Sequence, residues 1–248
     1  MISDDDRLAA DLAAEAGRRL LALRAAGGAA DELRRAGDRS SHEFLTAELA
    51  RHRPGDAVLS EEGADDLARL SADRVWIVDP LDGTREFGEP GRSDWAVHVA
   101  LWERGGLTAG AVALPAQDKV LSTADPVKAP APPDPPAVLR LLVSRTRPPE
   151  FMTRLARELD AELVPMGSAG AKAAAVICGD AEAYVHSGGQ YEWDSAAPVA
   201  VAVASGLHAS RIDGSKLSYN QAKPSLPDIL ICQAALADPL LEAISSVR

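Results

Sequence analysis

A layered α/β fold is predicted for this chain of 248 residues by three features of its sequence. Short β-branched runs such as 75–78 are typical of buried strands. Two apolar segments, 95–102 and 108–114, are joined by a short loop, which favours antiparallel pairing. In the second half strand-like and helix-like segments alternate, so sheets covered by helices are expected. The length allows one large domain or two closely packed lobes.

The first elements are predicted to be two helices followed by two short strands. Ser3 and Asp6 resemble a capping box, and apolar residues from Leu8 to Leu23 follow helical spacing. Gly27-Gly28 is expected to end this helix. A second helix is predicted to begin at Ser40 or Ser41 and to end before Pro54. Strands are then predicted at 57–60 and 75–78.

A proline-rich stretch separates the two halves of the chain. Proline continues neither a helix nor a central strand, so residues 124–137 are expected to form a surface connection. We therefore predict an N-terminal lobe, 1–136, and a C-terminal lobe, 137–248. The elements predicted for the second lobe are strands at 138–143, 162–165 and 182–186 and helices at 149–159, 169–178 and 194–204.

The overall composition excludes several classes of function. Hydrophobic residues make up 46% and charged residues 25%, as in globular proteins that live in water. The net charge of −11 argues against a nucleic-acid polymer as partner, although bound cations would still allow a small phosphate ester. Neither a signal peptide nor an apolar run of membrane-spanning length is recognised, so a cytoplasmic location without membrane contact is expected. Cys178 and Cys232 are expected to be buried thiols.

The most informative segment is Asp-Pro-Leu-Asp-Gly-Thr, residues 79–84, directly after the strand predicted at 75–78. Two carboxylates at the end of a strand, followed by the N–H groups of a helix, suit divalent cations and a phosphate. An EF-hand loop is excluded because Pro80 and Leu81 replace its alternating ligands. A haloacid-dehalogenase-type phosphatase is disfavoured because its two aspartates lie one residue closer together, and Pro80 occupies the place of its nucleophile.

Residues 79–87, Asp-Pro-Leu-Asp-Gly-Thr-x-x-Phe, resemble the central motif of the inositol monophosphatase family of Mg²⁺-dependent, lithium-sensitive phosphatases. Residues 60–62, Ser-Glu-Glu, are similar to the Gly-Glu-Glu of that family, and residues 193–197 to its Trp-Asp-x-Ala-Ala. Gly167-Ser168 is similar to the opening of its substrate-side helix. The resemblance implies a sugar-phosphatase fold of αβαβα layers, with the active site between two lobes.

The same resemblance implies two Mg²⁺ ions, a third and weaker ion, and direct attack by water. The metal ligands that it implies are Glu61, Asp79, the Leu81 carbonyl, Asp82 and Asp194. Asp79 would bridge the two ions. Thr84 and an aspartate would activate the water, and Asp38 is the candidate for that aspartate. The N–H groups of Gly83 and Thr84 would bind the phosphate.

The substrate is indicated by smaller similarities. Glu192-Trp193-Asp194 and the Ser168-x-x-x-Lys172 pattern resemble the branch of the family that removes the 3′-phosphate of 3′-phosphoadenosine-5′-phosphate (PAP). The sulfated form of PAP, PAPS, is a second candidate substrate. A second phosphate needs cations, which Lys172, Arg145 and Arg147 would supply. The full set of substrate-binding candidates is Gly83, Thr84, Ser144, Arg145, Arg147, Ser168 and Lys172.

Two alternatives remain open from the sequence. One is the same chemistry on inositol monophosphate or fructose 1,6-bisphosphate, and the other is a nucleotide-binding relative that has lost catalysis. The family also implies lithium inhibition and a homodimer. The histidines show no metal-ligand spacing, so a zinc site is not expected.

Overall fold

The computed structural model describes residues 2–129 and 138–248. The helices of these residues are α1 (Asp4–Ala26), α2 (Ala30–His52), α3 (Thr84–Phe87), α4 (Met152–Glu158), α5 (Ala169–Cys178), α6 (Glu192–Ala204) and α7 (Ala237–Val247). The strands are β1 (Ala57–Ser60), β2 (Arg74–Asp82), β3 (Ala96–Glu103), β4 (Gly106–Leu114), β5 (Lys119–Ser122), β6 (Arg140–Ser144), β7 (Glu162–Met166), β8 (Ala183–Tyr191), β9 (His208–Ser210) and β10 (Ser225–Cys232).

The elements form five layers around two sheets. The first sheet has the order β1-β2-β3-β4-β5 and the second β7-β6-β8-β10-β9. Helices α1 and α2 cover the outer face of the first sheet, α5 and α6 lie between the sheets, and α4 and α7 cover the outer face of the second. The predicted αβαβα fold is therefore confirmed, as is the antiparallel pairing of β3 with β4.

Small side chains allow the central layer to pack closely. Helix α6 contains mostly alanine and valine, and most of these residues are buried. A Cβ atom on Gly110 of β4 would lie only 2.7 Å from the Cβ of Ala200, so glycine is needed for this contact. The close packing of α6 on the first sheet sets the position of its first turn, which carries Asp194.

The predicted start of α2 at Ser40 or Ser41 is wrong, because the helix begins at Ala30. Gly37 lies within the helix and does not end it. A Cβ atom at this position would come within 2.9 Å of both Leu81 and Phe87, so the glycine allows α2 to approach the end of β2. As a result Asp38 lies inside the helix and not in a preceding loop.

Most other elements agree with their predictions to within a few residues. The capping box at Ser3 is present, and α5 has the predicted bounds. Strands β5, β9 and β10 and helix α7 were not predicted from the sequence. The predicted lobe boundary and five of the six prolines of the connection lie outside the described residues. None of the helices within 2–129 and 138–248 combines the length and apolar character that a membrane crossing requires.

Candidate active site

Three carboxylates converge at the end of β2. Asp79 and Asp82 are buried, and one oxygen of each lies within 4.8 Å of an oxygen of Asp194 and of the other. In a regular strand, residues three apart point to opposite faces. The pairing of β2 with β3 shifts register between Asp79 and Asp82, which lets both side chains face the same space.

One oxygen of each of these carboxylates accepts hydrogen bonds from the protein. The backbone N–H of Leu81 donates to Asp79 Oδ1 (3.0 Å), and that of Tyr191 donates to Asp194 Oδ2 (2.6 Å). Asp82 Oδ2 accepts from the Ser168 hydroxyl (2.6 Å) and the Gly170 N–H (2.7 Å). Within the described residues the other oxygen of each carboxylate has no protein donor, so three oxygens remain free to bind a cation.

The charges of this cluster are not balanced by the protein. Burial and the charges of Glu61, Asp82 and Asp194 raise the pKa of Asp79 well above its usual value. Burial and Asp82 raise the pKa of Asp194 to about 6. Asp82 differs, because the charge and hydrogen bond of His98 outweigh its burial and lower its pKa to about 2. Crowded oxygen ligands with surplus negative charge fit a hard divalent cation such as Mg²⁺.

Glu61, the fourth predicted acidic ligand, lies beside the cluster and not within it. It follows β1, and it does not belong to the group of three carboxylates. Desolvation and the charge of Asp194, followed by that of Asp82, raise its pKa to about 7. Although Glu61 is more exposed than the three carboxylates, its negative charge still raises the pKa of Asp79.

Asp38 and Thr84, the predicted water-activating pair, are in contact. The Thr84 hydroxyl lies 3.2 Å from Asp38 Oδ1 and 3.0 Å from the Leu81 carbonyl oxygen, and it donates to these acceptors. Burial and the charge of Glu62 raise the pKa of Asp38 to about 6. The structure thus joins a residue of α2 to the first residue of α3.

Gly83, between Asp82 and Thr84, has the left-handed backbone conformation that favours glycine (φ 84°). A Cβ atom here would lie 3.1 Å from the Asp94 carbonyl oxygen and 3.2 Å from the Ser168 Cβ. The sharp turn from β2 into α3 therefore requires glycine for both its backbone angle and its space.

A cavity of about 530 Å³ opens next to the carboxylates. This is the size of pocket that binds small molecules. It is bordered by Asp82 and Asp194 and by all seven predicted substrate-binding residues, namely Gly83, Thr84, Ser144, Arg145, Arg147, Ser168 and Lys172.

The three basic residues of the cavity differ in the number of hydrogen bonds that they already make to protein acceptors. Arg145 donates to Glu86 (2.6 Å) and Glu89 (3.0 Å). The buried ammonium of Lys172 donates to three backbone carbonyls, at 2.5–3.3 Å, and burial lowers its pKa to about 8. Arg147 is exposed and forms no ion pair with any residue in the described ranges.

His98 is a site residue that the sequence analysis missed. It is fully buried in β3, with Nδ1 3.0 Å from the Trp193 carbonyl oxygen and Nε2 3.2 Å from Asp82 Oδ2. A Cβ atom on Gly170 would come within 2.1 Å of its Nε2, so the glycine makes room for the ring. The only signal in the sequence was a histidine in an otherwise apolar strand.

A second missed feature is a hydrogen-bond network around the buried Arg69, which lies in the segment that follows Glu61. Its guanidinium donates to Asp65 (2.7 Å), to the side-chain oxygen of Asn220 (2.6 Å) and to the carbonyl of Gln221 (2.9 Å). Glu192, next to Trp193 in α6, accepts from the N–H groups of Asn220 (2.7 Å) and Gln221 (2.8 Å). The network connects the segment after Glu61 to the first turn of α6.

Without a divalent cation, the free energy of unfolding is expected to fall as the pH rises from about 4 to about 7. The pKa values of Asp38 and Asp194 (about 6) and Glu61 (about 7) are raised by folding. In this range the folded protein binds more protons than the unfolded chain, so each step up in pH costs stability. His186, whose pKa burial lowers to about 4, acts in the opposite direction. Carboxylates with a lowered pKa, such as Asp6 and Glu182, do the same, but their effect ends at about pH 5, where they are ionised in the unfolded chain as well.

Urea unfolding in EDTA at pH of about 5 and about 7.5 would measure this slope. Added Mg²⁺ is expected to restore more stability at the higher pH, where the carboxylates are ionised. A free energy of unfolding that rises over this interval, or that does not respond to Mg²⁺, would contradict the acidic cluster as a cation site.

The chain is similar to known proteins over most of its length. Residues 7–246 match the model of the inositol monophosphatase family. The 3′-phosphoadenosine 5′-phosphate phosphatase of Mycobacterium tuberculosis is 55% identical over 239 residues, which cover 93% of this chain and 90% of that protein. Among solved structures, inositol monophosphatase II of Staphylococcus aureus has a TM-score of 0.79 at 22% identity and covers 94% of this chain and 90% of its own. CysQ of Bacteroides thetaiotaomicron has a TM-score of 0.76 at 26% identity, with 91% and 96% covered.

Proposed function

This chain belongs to the inositol monophosphatase family, and we propose that it is a phosphatase that removes the 3′-phosphate of PAP by hydrolysis. PAPS is proposed as a second substrate. The observation that carries the proposal is the convergence of Asp79, Asp82 and Asp194 at a cavity that Arg147 also borders. The carboxylates suit the cations that accompany one phosphate, and the arginine suits the other.

Divalent cations, which we propose to be two to three Mg²⁺ ions, would be held by Glu61, Asp79, the Leu81 carbonyl, Asp82 and Asp194. When bound, they supply positive charge for the phosphate oxygens and lower the pKa of attacking water. Asp79 is buried, and one of its oxygens lies within 4.8 Å of oxygens of both Asp82 and Asp194, so it would hold cations jointly with these two residues. The hydrogen bonds to one oxygen of Asp82 fix its orientation while the other stays available.

Asp38 is proposed to accept a proton from the attacking water through the Thr84 hydroxyl. The hydroxyl already lies within hydrogen-bond distance of Asp38 Oδ1, so the proton has a short path. As water adds to the phosphorus, the bond from phosphorus to the 3′ oxygen breaks, and this oxygen takes a proton from solvent water. Asp38 returns its proton to solvent, and the products are inorganic phosphate and 5′-AMP. The N–H groups of Gly83 and Thr84 are proposed to bind the transferred phosphate. Ser144, Ser168 and Lys172 are proposed to form the substrate wall.

Several finer properties of the family are part of the same proposal. They are inhibition by Li⁺, a cytoplasmic location, assembly as a homodimer, and a division into lobes 1–136 and 137–248. The first sheet and the first three helices come from the first lobe, and Asp194 comes from the second. This arrangement supports an active site that both lobes complete.

With Mg²⁺ present, kcat/KM is expected to be highest for PAP in a panel that also contains PAPS, inositol monophosphate and fructose 1,6-bisphosphate. The margin over inositol monophosphate, which has a single phosphate, is expected to be about tenfold or more, since one charge-assisted contact to the second phosphate contributes on the order of 1.5–3 kcal/mol. Fructose 1,6-bisphosphate also has a second phosphate, so a smaller margin is expected over it. Release of inorganic phosphate would be measured with and without Li⁺. A higher kcat/KM for either sugar phosphate would refute PAP as the preferred substrate. Binding of PAP without phosphate release would instead indicate a relative that has lost catalysis.

A further inference from the structure

Arg147 borders a second cavity as well as the one beside the carboxylates. The second cavity has a volume of about 600 Å³ and shares Arg147 and Gly189 with the first. The two cavities therefore adjoin at these residues, and neither Asp82 nor Asp194 borders the second one.

This second cavity is lined by three arginines and one acidic side chain, namely Arg147, Arg154, Arg248 and Glu150. The three arginines are exposed, and none of them forms an ion pair with a residue in the described parts of the chain. The protein has a net charge of −11, but at this cavity three arginines outnumber one acidic side chain. Such a group lowers the energy of an anion bound at this place.

Two glycines of β8 line the place where the two cavities meet. Gly188 and Gly189 both have positive φ angles, 84° and 69°. A Cβ atom on Gly189 would lie 3.0 Å from a terminal guanidinium nitrogen of Arg147, so the arginine lies directly against this glycine. The backbone N–H of Arg147 donates to the Ser144 hydroxyl (3.1 Å), and this bond positions the backbone from which the Arg147 side chain extends.

The other basic groups near the place where the two cavities meet are less suited to a second phosphate. Arg145 is neutralised by Glu86 and Glu89, and the hydrogen atoms of the Lys172 ammonium point to backbone carbonyls. His186 lies in the wall of the first cavity, but its Nε2 is bonded to the Gly188 carbonyl oxygen (2.7 Å). A phosphate that approached Arg145 or Lys172 would have to displace an existing partner, which costs most of the energy that it gains. The Nδ1 of His186 has no partner among the described residues, but burial lowers the pKa of the ring to about 4, so it is neutral at pH 7 and offers the phosphate an acceptor instead of a cation.

We propose that the phosphate that is not cleaved binds at the entrance of the second cavity, between Arg147 and Arg154. This inference rests on the proposed function. It makes Arg154, which lies outside the cavity of the acidic cluster, a specificity-determining residue for nucleotides with a 5′-phosphate. Substrates with one phosphate would occupy only the first cavity.

The test compares hydrolysis of PAP with that of 3′-AMP, which lacks the 5′-phosphate. For Arg154→Ala the ratio of kcat/KM for PAP to that for 3′-AMP is expected to fall about fivefold, the upper range for an exposed charge pair. For Arg147→Ala a fall of about tenfold or more is expected, because this arginine borders both cavities and is proposed to bind the phosphate directly. The inhibition constant of 5′-AMP is expected to rise by similar factors in both variants.

Arg157→Ala is the matched control, since Arg157 is an exposed arginine of the same helix that borders neither cavity. Its ratio is expected to equal that of the wild type. A ratio for Arg154→Ala within twofold of the Arg157→Ala ratio would overturn the inference while the PAP phosphatase activity stands. If the wild-type protein hydrolysed neither nucleotide, the proposed function would fail first and this inference with it.

Discussion

Asp79→Asn is expected to lower kcat for PAP by about a thousandfold or more, because an amide neither bridges two cations nor neutralises their charge. Asp79 is the most enclosed of the three converging carboxylates, and its neighbours cannot replace it without moving β2 or α6. Steady-state release of inorganic phosphate at saturating Mg²⁺ and PAP would measure the loss.

The same variant is expected to remain folded and, in EDTA, to be at least as stable as the wild type at neutral pH. The raised pKa of Asp79 means that its buried charge destabilises the cation-free protein, and asparagine removes that charge. Asp73→Asn is the matched control, because Asp73 precedes the same strand at its other end and is exposed. Substantial turnover by Asp79→Asn, or a loss of activity as large in Asp73→Asn, would contradict a bridging role.

Thr84→Ala and Asp38→Asn are each expected to lower kcat by about 10²- to 10⁴-fold, the contribution of a positioned general base. Because the two side chains share one hydrogen bond, the double variant is expected to lose little more than either single variant. Thr84→Ser keeps the hydroxyl and is expected to restore most of the activity. A double-mutant cycle on kcat, with the Mg²⁺ concentration for half-maximal activity measured for each variant, would separate this role from cation binding.

Thr46→Ala provides the control for removal of a threonine hydroxyl, since Thr46 lies on α2 and bonds only to backbone carbonyls of its own helix. It is expected to retain wild-type kcat. Losses at Thr84 and Asp38 that multiply in the double variant would show that the two residues act independently, and the proton path would then be wrong.

The parts of the site that are contiguous in sequence were predictable, and the parts made by packing were not. Residues 79–84 carry two carboxylates, a glycine and a threonine in one segment, so the end of β2 and the start of α3 followed from local pattern. Asp194 was assigned only through the resemblance, because nothing local distinguishes it from an ordinary residue in the first turn of a helix.

The wrong helix start and the missed site residues also result from tertiary contacts that the local sequence does not show. The second helix was predicted to begin after Gly37, but the small size of this glycine serves the contact of α2 with Leu81 and Phe87. The bonds of Arg145 and Lys172 depend on groups that only the fold brings near them. His98 and Arg69 are polar residues buried by tertiary packing, and each has a partner far away in the sequence, at 95 residues for His98 and 151 for Arg69.

The central position of α6 also has a consequence for biosynthesis. This helix is covered on one side by the first sheet and on the other by the second, whose strand β10 ends at Cys232. An alanine- and valine-rich helix of this kind has no stable position until both sheets have formed. A growing chain therefore leaves the ribosome with Asp79 and Asp82 already made but without Asp194 in place. The proposed cation site is therefore complete only after β10 has been made and has joined the second sheet.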